Sequence, residues 1–213
     1  MKVLVIYAHP SNTGHCATIL REVENNLKIR KANYEILDLY KLGFDPVLKE
    51  SELYGRDAKL HEEALKYQEK IKNTNLLIFI YPIWWNTMPA ILKGFFDRVF
   101  SSGFAFKYAP VIPSKMMPFF EKIFRIFSNR FDYGIPIGLL RDKKAIVFMT
   151  TGSPKVISYP LTGNRFIKII KKDILGFFGI RSKIYHIGTC RKLNAYKIAE
   201  IVKTVRHALR RVK

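Results

Sequence analysis

The sequence predicts a single α/β domain in which helices cover both faces of a parallel sheet. Five short apolar runs alternate with amphipathic helical stretches along the chain, which is the order of elements in a doubly wound sheet. The run 76–80 is apolar throughout, as expected of a central strand that is buried on both faces. With 213 residues the chain is long enough for one sizeable core and short for two, so we expect residues 1–213 to form one domain.

Hydrophobic periodicity and turn residues define the predicted elements. Runs rich in β-branched and aromatic residues predict five strands, at residues 2–8, 34–39, 76–81, 145–149 and 183–187. Helical spacing predicts five helices. The first ends near residue 27, the second spans 57–72, and the third has Pro89 in its first turn. The fourth spans 165–178, and the fifth runs from the capping residue Asn194 to near the end of the chain. Asn86 or Thr87 is expected to cap the third helix. The predicted inward stripe of the last helix is Ile198, Ile201, Val202, Val205 and Leu209.

The net charge of +20 is concentrated in the second half of the chain. Residues 1–106 carry 14 Lys/Arg and 12 Asp/Glu, a net charge of +2, whereas residues 107–213 carry 23 and 5, a net charge of +18. This asymmetry indicates an anionic partner, such as nucleic acid, an acidic lipid surface or a phosphorylated cofactor, or else a basic surface in contact only with solvent. No aromatic-basic RNA motif or recognition helix is found, so nucleic acid is the least favoured partner.

The cysteine and histidine content predicts neither a disulfide framework nor a metal site. Cys16 and Cys190 are the only cysteines, and the five histidines show no metal-ligand spacing, so we expect no bound metal. No apolar run approaches the length of a membrane span, and residues 1–8 do not resemble a secretion signal. These observations together predict a cytoplasmic protein.

The loop after the first predicted strand has the composition of a phosphate-binding loop. Small hydroxyl, amide and glycine residues lie between the strand and a helix N-terminus, whose free N–H groups and partial positive charge favour anions. His15 could stack on a ligand or donate to a phosphate, and His9 could bind a ligand or fix the loop. The candidate binding residues here are His9, Ser11, Thr13, Gly14, His15 and Cys16.

The turn after the third strand contains two consecutive tryptophans. Open α/β sheets bind ligands beyond the carboxyl ends of their strands, where large rings can form a flat wall and turn N–H groups can hydrogen-bond a planar ligand. The alternative is that both tryptophans are ordinary core aromatics. The candidate binding residues of this turn are Pro82, Ile83, Trp84, Trp85 and Asn86.

The segment 82–106 also resembles a known protein family. The matching residues are Pro82, Trp84, Trp85, Met88, Pro89, Ala90, Leu92, Lys93, Gly94, Asp97, Arg98, Val99, Gly103, Ala105 and Phe106. They resemble the central signature of the flavodoxin-like NAD(P)H:quinone oxidoreductases, which include DT-diaphorase, bacterial modulators of drug activity and flavoprotein ancillary subunits of potassium efflux systems. The resemblance implies a sheet with strand order 2-1-3-4-5, a flavin against the double-tryptophan turn, and hydride transfer from NAD(P)H to a quinone-like acceptor.

The segment after the fourth strand extends the resemblance. Thr150, Thr151, Gly152 and Ser153 are similar to the family's Thr-Thr-Gly-x-Pro segment, which implies that they bind the edge of the flavin ring. Three candidate segments are then predicted to converge at the carboxyl edge of the sheet. The resemblance also implies catalytic roles for three residues: an N–H group near Gly152 that stabilises charge on the reduced ring, and side chains that orient the acceptor, at Tyr159 and Asn164.

The first loop favours FMN over FAD as the cofactor. His9 and Thr13 fit the loop of the quinone reductases, whereas Gly14, His15 and Cys16 depart from it. The run 11–14 is instead similar to the phosphate loop of flavodoxins. We therefore expect FMN, with FAD as the alternative, and NAD(P)H as the electron donor.

Other predictions concern assembly and the segment 111–140. A homodimer is expected from the resemblance and from the aromatic residues of 95–106 and 119–131. A basic amphipathic helix with an aromatic stripe is predicted within 111–140, before the fourth strand, where it could be a lid, an interface helix or an anchor to an anionic membrane surface. The alternative functions are an ancillary subunit that contacts a membrane transporter and a flavodoxin-type electron carrier.

Overall fold

The computed structural model describes residues 1–53, 62–110 and 134–212. Five of the described strands form one parallel sheet with the order β2-β1-β3-β6-β7. Numbered along the chain within this sheet, that order is 2-1-3-4-5, so the predicted order is confirmed. The strands are β1 Lys2–Tyr7, β2 Asn33–Asp38, β3 Leu76–Pro82, β4 Phe106–Pro110, β5 Gly134–Gly138, β6 Lys144–Thr150 and β7 Arg181–Ile187.

A two-stranded antiparallel sheet of β4 and β5 was not predicted. Its strands are five residues long, and β5 contains Pro136 between two glycines, a composition that locally favours turns. Gly134 is needed there because a Cβ atom would lie 2.6 Å from Cβ of Tyr108. The amphipathic helix predicted before the fourth strand of the parallel sheet falls mainly within 111–133, outside the described residues.

The described helices agree with the predicted alternation, with three corrections. They are α1 Gly14–Ile29, α2 Glu62–Lys72, α3 Ala90–Val99, α4 Lys155–Thr162, α5 Arg165–Lys168 and α6 Ala195–Leu209. First, α4 was not predicted, and Pro160 lies inside it. Second, the predicted helix 165–178 is α-helical only over α5 and continues as a π-helix over Ile169–Gly176. Third, Pro89 is the N-cap of α3, and neither Asn86 nor Thr87 caps it.

Two hydrophobic clusters form the core, one on each face of the sheet. Alternate residues of β1 belong to opposite clusters: Leu4 and Ile6 to the face covered by α2 and α3, and Val3 and Val5 to the face covered by α1 and α6. Strand β3 is buried along its whole length, as its apolar sequence predicted. The central position of β3 places the turn that follows it in the middle of the sheet's carboxyl edge.

The last helix confirms its predicted cap but not its whole predicted stripe. Asn194 Oδ1 accepts a hydrogen bond from Lys197 N at 2.9 Å. Ile198 is exposed, and Lys197 takes the inward position instead because its ammonium group donates to Gly188 O at 2.8 Å and to Glu200 at 2.6 Å. These bonds fix the start of α6 to the loop that follows β7.

A buried ion pair connects α3 to the loop after β2. The guanidinium of Arg98 donates to both carboxylate oxygens of Glu52, at 2.9 and 2.8 Å, and its Nη1 donates to Asp45 O at 2.6 Å. Both side chains of the pair are almost fully buried, with 2% and 1% exposed. At Gly94 a Cβ atom would lie 2.2 Å from Pro46 O, so only glycine allows the loop to pack against α3 this closely. This packing holds α3, which begins directly after the double-tryptophan turn.

Candidate active site at the carboxyl edge of the sheet

The loops after β1, β3 and β6 meet at one edge of the sheet, because these strands are parallel neighbours. Ile83 N donates to Thr150 O at 2.8 Å, which joins the loops after β3 and β6. The rings of His9 and Trp84 have centroids 6.1 Å apart and connect the loops after β1 and β3. Cys16 Sγ in α1 lies 3.4 Å from Thr150 Oγ1. The structure therefore brings the three predicted segments together.

Internal hydrogen bonds shape the first loop. The hydroxyl of Tyr7 donates to Ser11 O at 2.9 Å, and Ser11 N donates to His9 Nδ1 at 3.0 Å. Thr13 N donates to Ser11 Oγ at 3.1 Å, and the two hydroxyl oxygens are 2.9 Å apart. His9 thus fixes the conformation of its own loop, which is one of its two predicted roles.

The N-terminus of α1 presents unpaired donors to this loop. Thr13 is the N-cap, but its side chain makes no capping bond to the helix. Gly14 has φ +83°, and nothing lies within 4 Å of the position that a Cβ would take. The N–H groups of the first turn therefore combine with the helix dipole into an arrangement that suits a phosphate group.

His15 and Cys16 have different environments although both lie in the first turn of α1. His15 Nε2 is buried without a hydrogen-bond partner among the described residues. Burial lowers the pKa of His15, and the charge of Lys197 acts in the same direction. Burial raises the pKa of the Cys16 thiol to about 12, so the thiol stays protonated at neutral pH. Because the Cys16 side chain is enclosed in the core, only its backbone N–H is available to a ligand.

The double-tryptophan turn has an unusual backbone conformation. Trp84 and Thr87 exchange two backbone hydrogen bonds of 3.0 Å, and the two residues between them both have positive φ, +50° at Trp85 and +59° at Asn86. Two consecutive residues in the left-handed region define a type I′ turn, which usually contains glycine or asparagine. A bulky residue with positive φ is a strained conformation of the kind that clusters at functional sites.

Neither tryptophan is a core residue, so the alternative interpretation of this turn is excluded. The exposed fraction is 41% for Trp84 and 98% for Trp85. The N–H groups of Trp85 and Asn86 make no hydrogen bond with any described residue. The turn therefore offers two free donors and two accessible indole rings at the centre of the carboxyl edge.

The loop after β6 is held in place by β7. Thr151 N donates to Ile187 O at 3.0 Å, and Thr189 N donates to Ser153 O at 2.9 Å. Gly152 is exposed, and its N–H makes no hydrogen bond within the described part of the chain. This free N–H is available to a ligand beside the double-tryptophan turn.

His186 contributes to this loop and was missed by the sequence analysis. Its Nε2 lies 2.7 Å from Thr151 Oγ1, and its ring meets that of Phe166 edge to face at 5.1 Å. Burial lowers the pKa of His186 to about 4, with a smaller contribution from the charge of Lys155. The one signal in the sequence was its position near the end of a predicted strand of the parallel sheet.

Tyr159 and Asn164 are the predicted site residues that the structure does not connect to the three loops. Tyr159 lies in α4 with 69% of its surface exposed. Asn164 is the N-cap of α5 with φ +53°, and its side chain makes no capping bond. Their roles stay predictions.

A basic cavity lies beside the candidate phosphate-binding loop that follows β1. It encloses about 680 Å³ between the start of α4, the loop 188–194 and the start of α6. Its cationic side chains are Lys155, Arg191, Lys192 and Lys197. Glu200 pairs with two of them, Lys155 at 3.1 Å and Lys197 at 2.6 Å. The other two cations form no ion pair with a described residue.

The described ranges contain neither a metal-binding cluster nor a membrane-spanning helix. Within 1–53, 62–110 and 134–212, no three His, Cys, Asp or Glu side chains are grouped so that they could hold a metal ion. No helix in those ranges has the length and apolar content required to cross a bilayer.

The fold and site together define a doubly wound α/β protein with a candidate site for an anionic, planar cofactor at the carboxyl edge of its sheet. A family model described as a flavodoxin-like fold matches residues 1–203. The chain therefore belongs to the flavodoxin-like NAD(P)H:quinone oxidoreductase family that the segment 82–106 indicated.

Individual proteins are similar over most of the chain. An uncharacterized NAD(P)H oxidoreductase of Haemophilus influenzae is 30% identical over 72% of this chain and 65% of its own length. The structure of Smu.1420 from Streptococcus mutans is 31% identical, with a TM-score of 0.78 and full coverage of both chains. An NAD(P)H:quinone oxidoreductase from Methanothermobacter marburgensis is 25% identical, with a TM-score of 0.75 over 98% of this chain and 94% of that one.

More distant structures show the fold alone. An FMN-dependent NADH-azoreductase from Bacillus anthracis, solved in complex with FMN, is 18% identical, with a TM-score of 0.73 over 100% of this chain and 99% of that one. The chain spans 65%, 57% and 55% of the length of three curated relatives, all described as NAD(P)H oxidoreductases or dehydrogenases.

Proposed function

We propose that this chain is an NAD(P)H oxidoreductase that uses FMN and reduces quinone-like small acceptors. The observation that carries the proposal is the convergence of three loops with unpaired N–H donors: the first turn of α1, the turn 84–87 and the loop 150–153. The names of its relatives, NAD(P)H oxidoreductases and quinone reductases, support the same reaction class. Hydride uptake from NAD(P)H and its delivery to the acceptor is the chemistry that a flavin supplies when bound.

The residues present fit such a cofactor. The N–H groups at the start of α1, with the hydroxyls of Ser11 and Thr13, would hold the phosphate. The free N–H groups of Trp85 and Asn86 would bind heteroatoms along the ring, and the N–H of Gly152 would stabilise negative charge near its edge. In this proposal the protein positions the cofactor and polarises its ring, and it contributes no nucleophile of its own.

The first experiment is flavin binding. We expect the purified protein to show flavin absorption, or to bind FMN in a fluorescence titration, more weakly after Ser11→Ala and Thr13→Ala together. The matched control is Thr204→Ala, which removes a hydroxyl that bonds to Glu200 O within α6. If neither FMN nor FAD binds below about millimolar concentration, the proposal is wrong.

The second experiment is steady-state kinetics with NADH or NADPH and simple quinones. Donor and acceptor that use the same cofactor face must occupy the site in turn, so double-reciprocal plots should give parallel lines. Intersecting lines would contradict a shared face. Tyr159→Phe is expected to lower kcat/KM for the quinone without changing FMN affinity, because the proposed role of its hydroxyl is to orient the acceptor.

FAD is the alternative cofactor, and the basic cavity offers room for its second phosphate and adenosine. The cavity borders the candidate phosphate-binding loop because its lining residue Lys197 lies close enough to His15 for its charge to lower the pKa of that histidine. Identification of the flavin released on denaturation decides between the two. If the cavity holds an adenylate, Arg191→Gln with Lys192→Gln should weaken FAD binding and leave FMN binding unchanged.

A homodimer is part of the proposal, but on different grounds from those in the sequence. The aromatic residues of 95–106 are mostly buried in the core of one chain, and 119–131 lie outside the described residues. What supports a dimer instead is the exposure of Trp85, Tyr108, Ile135 and Val156. Sedimentation velocity at micromolar concentration should show a dimer, and a monomer there would remove this part of the proposal.

No observation favours the alternative functions. None of the relatives named above is described as a transporter subunit or an electron carrier. We therefore propose one function.

A further inference from the structure

A second basic cavity, separate from the one beside α4, lies at the opposite edge of the sheet from the candidate active site. It encloses about 360 Å³ where the amino ends of β3, β6 and β7 meet the end of α6. Parallel strands place their amino and carboxyl ends at opposite edges. The seven residues of β6 separate this cavity from the loop 150–153 by about 20 Å, at a rise of about 3.3 Å per residue.

Four cationic side chains line this cavity, which we call the amino-edge cavity: Lys144, Arg181, Lys183 and Arg211. Lys144 is paired in register with Arg181, and Ile146 with Lys183. Residues in register across parallel strands, or two apart along one strand, project from the same face of a sheet. The three cations from β6 and β7 therefore share the face on which Ile146 joins the core beneath α6.

The four cations have no counter-charge in the part of the chain that the structure describes. None of them forms an ion pair there. Asp142, two residues before Lys144, already pairs with Lys143 at 3.2 Å. Like charges around one cavity repel each other, and a bound anion would relieve that repulsion.

The floor of the amino-edge cavity is apolar. Its buried members are Leu76, Ala145, Ile146, Ala208 and Val212. A bare inorganic anion would gain little from such a floor, whereas an apolar group attached to the anion would be removed from water on it. The volume falls near the lower end of the range of about 300–1,000 Å³ that is usual for small-molecule sites.

We propose that the amino-edge cavity binds a small anionic amphiphile, a carboxylate or phosphate monoester joined to a compact apolar body. The rim supplies the charge recognition, and the floor selects for the apolar body. The cavity shares no residue with the three loops of the candidate active site, so this proposal stands or falls independently of the proposed function.

The probe for the test is octyl phosphate below its critical micelle concentration, titrated by calorimetry into the full chain. We expect saturable binding at one site that weakens about tenfold, or about 1.4 kcal/mol, in the double variant Arg181→Gln, Lys183→Gln. The matched control is Lys171→Gln, Lys203→Gln, which removes the same charge from exposed lysines outside the cavity and should bind as the wild type does. Unfolding temperatures confirm that both variants fold.

Four results would overturn the proposal, three from binding experiments and one from NMR spectra. The first is equal binding by the wild type and the Arg181/Lys183 variant. The second is inorganic phosphate binding as tightly as octyl phosphate, because the apolar floor would then have no role. The third is sedimentation with phosphatidylglycerol vesicles in the absence of any octyl phosphate binding, which would assign these cations to a bilayer surface. Amide shifts at Ala145 and Ala208 in NMR spectra support the site, and shifts confined to 11–14 contradict it.

Discussion

His186 and Thr151, 35 residues apart in the sequence, are joined by a contact of 2.7 Å between Nε2 and Oγ1. The Thr151 hydroxyl already donates to Ser153 O at 2.9 Å, so it accepts from His186, which must carry its proton on Nε2. The pKa of about 4 keeps the ring neutral at neutral pH, with Nδ1 unprotonated. The end of β7 thus determines the conformation of a loop in the candidate active site.

Replacement of His186 should therefore loosen cofactor binding. His186→Ala removes the group that donates to the buried Thr151 hydroxyl, which keeps only its own bond to Ser153 O, and we expect this loss of about 1–3 kcal/mol to weaken FMN binding about tenfold. His186→Gln keeps an N–H donor at the end of the side chain and should recover most of the affinity. Fluorescence titration measures both, and equal affinities for the alanine variant and the wild type would contradict the prediction.

The low pKa of His186 also predicts how stability depends on pH. The folded chain protonates this ring near pH 4, whereas the ordinary histidine value of 6.5 applies to the unfolded chain. Between these values the unfolded state binds more protons, so the contribution to the free energy of unfolding is fully present above pH 6.5 and is lost as the pH falls to about 4.

Urea unfolding at a series of pH values between 3.5 and 7.5, bracketing the values of about 4 and 6.5, measures this effect. The slope of stability against pH should be shallower in His186→Gln than in the wild type. Parallel profiles would show that His186 does not titrate as its burial indicates.

The type I′ turn at Trp85 and Asn86 makes a prediction about side-chain shape. Asn86 tolerates its φ of +59° well for a non-glycine residue, whereas a β-branched residue does not. Asn86→Val should therefore destabilise the turn by about 1–2 kcal/mol, and Asn86→Gly should be tolerated. Thermal unfolding measures the stability of the two variants, and FMN titration measures their affinity for the cofactor. A valine variant that matches the glycine variant in both would contradict the positive φ at Asn86.

The buried Arg98–Glu52 pair predicts a large effect on stability. Arg98→Met leaves the Glu52 carboxylate buried beside an apolar side chain, which we expect to lower the free energy of unfolding by about 3–5 kcal/mol. The exposed pair of Lys93 and Asp97, 2.5 Å apart on the same helix, is the control, and Lys93→Met should change stability by less than about 1 kcal/mol. Chemical denaturation compares them, and similar small losses in both would contradict the prediction.

Much of the fold and the location of the site could be predicted from local patterns. The apolar run of β3 predicted a central strand that is buried on both faces, and the structure confirms it. Open α/β sheets bind ligands beyond the carboxyl ends of their strands, so the end of β3 was a predicted ligand site. The small polar residues after β1 indicated an anion-binding loop, and the structure places unpaired N–H groups there. The segment 82–106 indicated the family that the match over residues 1–203 shows.

Local patterns were misleading where contacts distant in sequence decide the structure. The five-residue strands β4 and β5 were not predicted, and their hydrogen-bond partners lie in each other, more than 20 residues apart in the sequence. Ile198 was predicted in the inward stripe of α6 but is exposed, and Lys197 is buried instead because Gly188 O and Glu200 stabilise its ammonium group. Trp85 was a candidate core residue by composition, and the type I′ turn directs it to solvent instead.

By itself, the sequence determined the class of fold, the five strands of the parallel sheet and the three segments at its carboxyl edge, because periodicity and turn chemistry act over a few residues. Only the tertiary structure decided that His186 supports Thr151 and that Lys144, Arg181, Lys183 and Arg211 surround one cavity. These groupings join residues tens of positions apart. Their proximity depends on sheet register and helix packing, which no local pattern specifies.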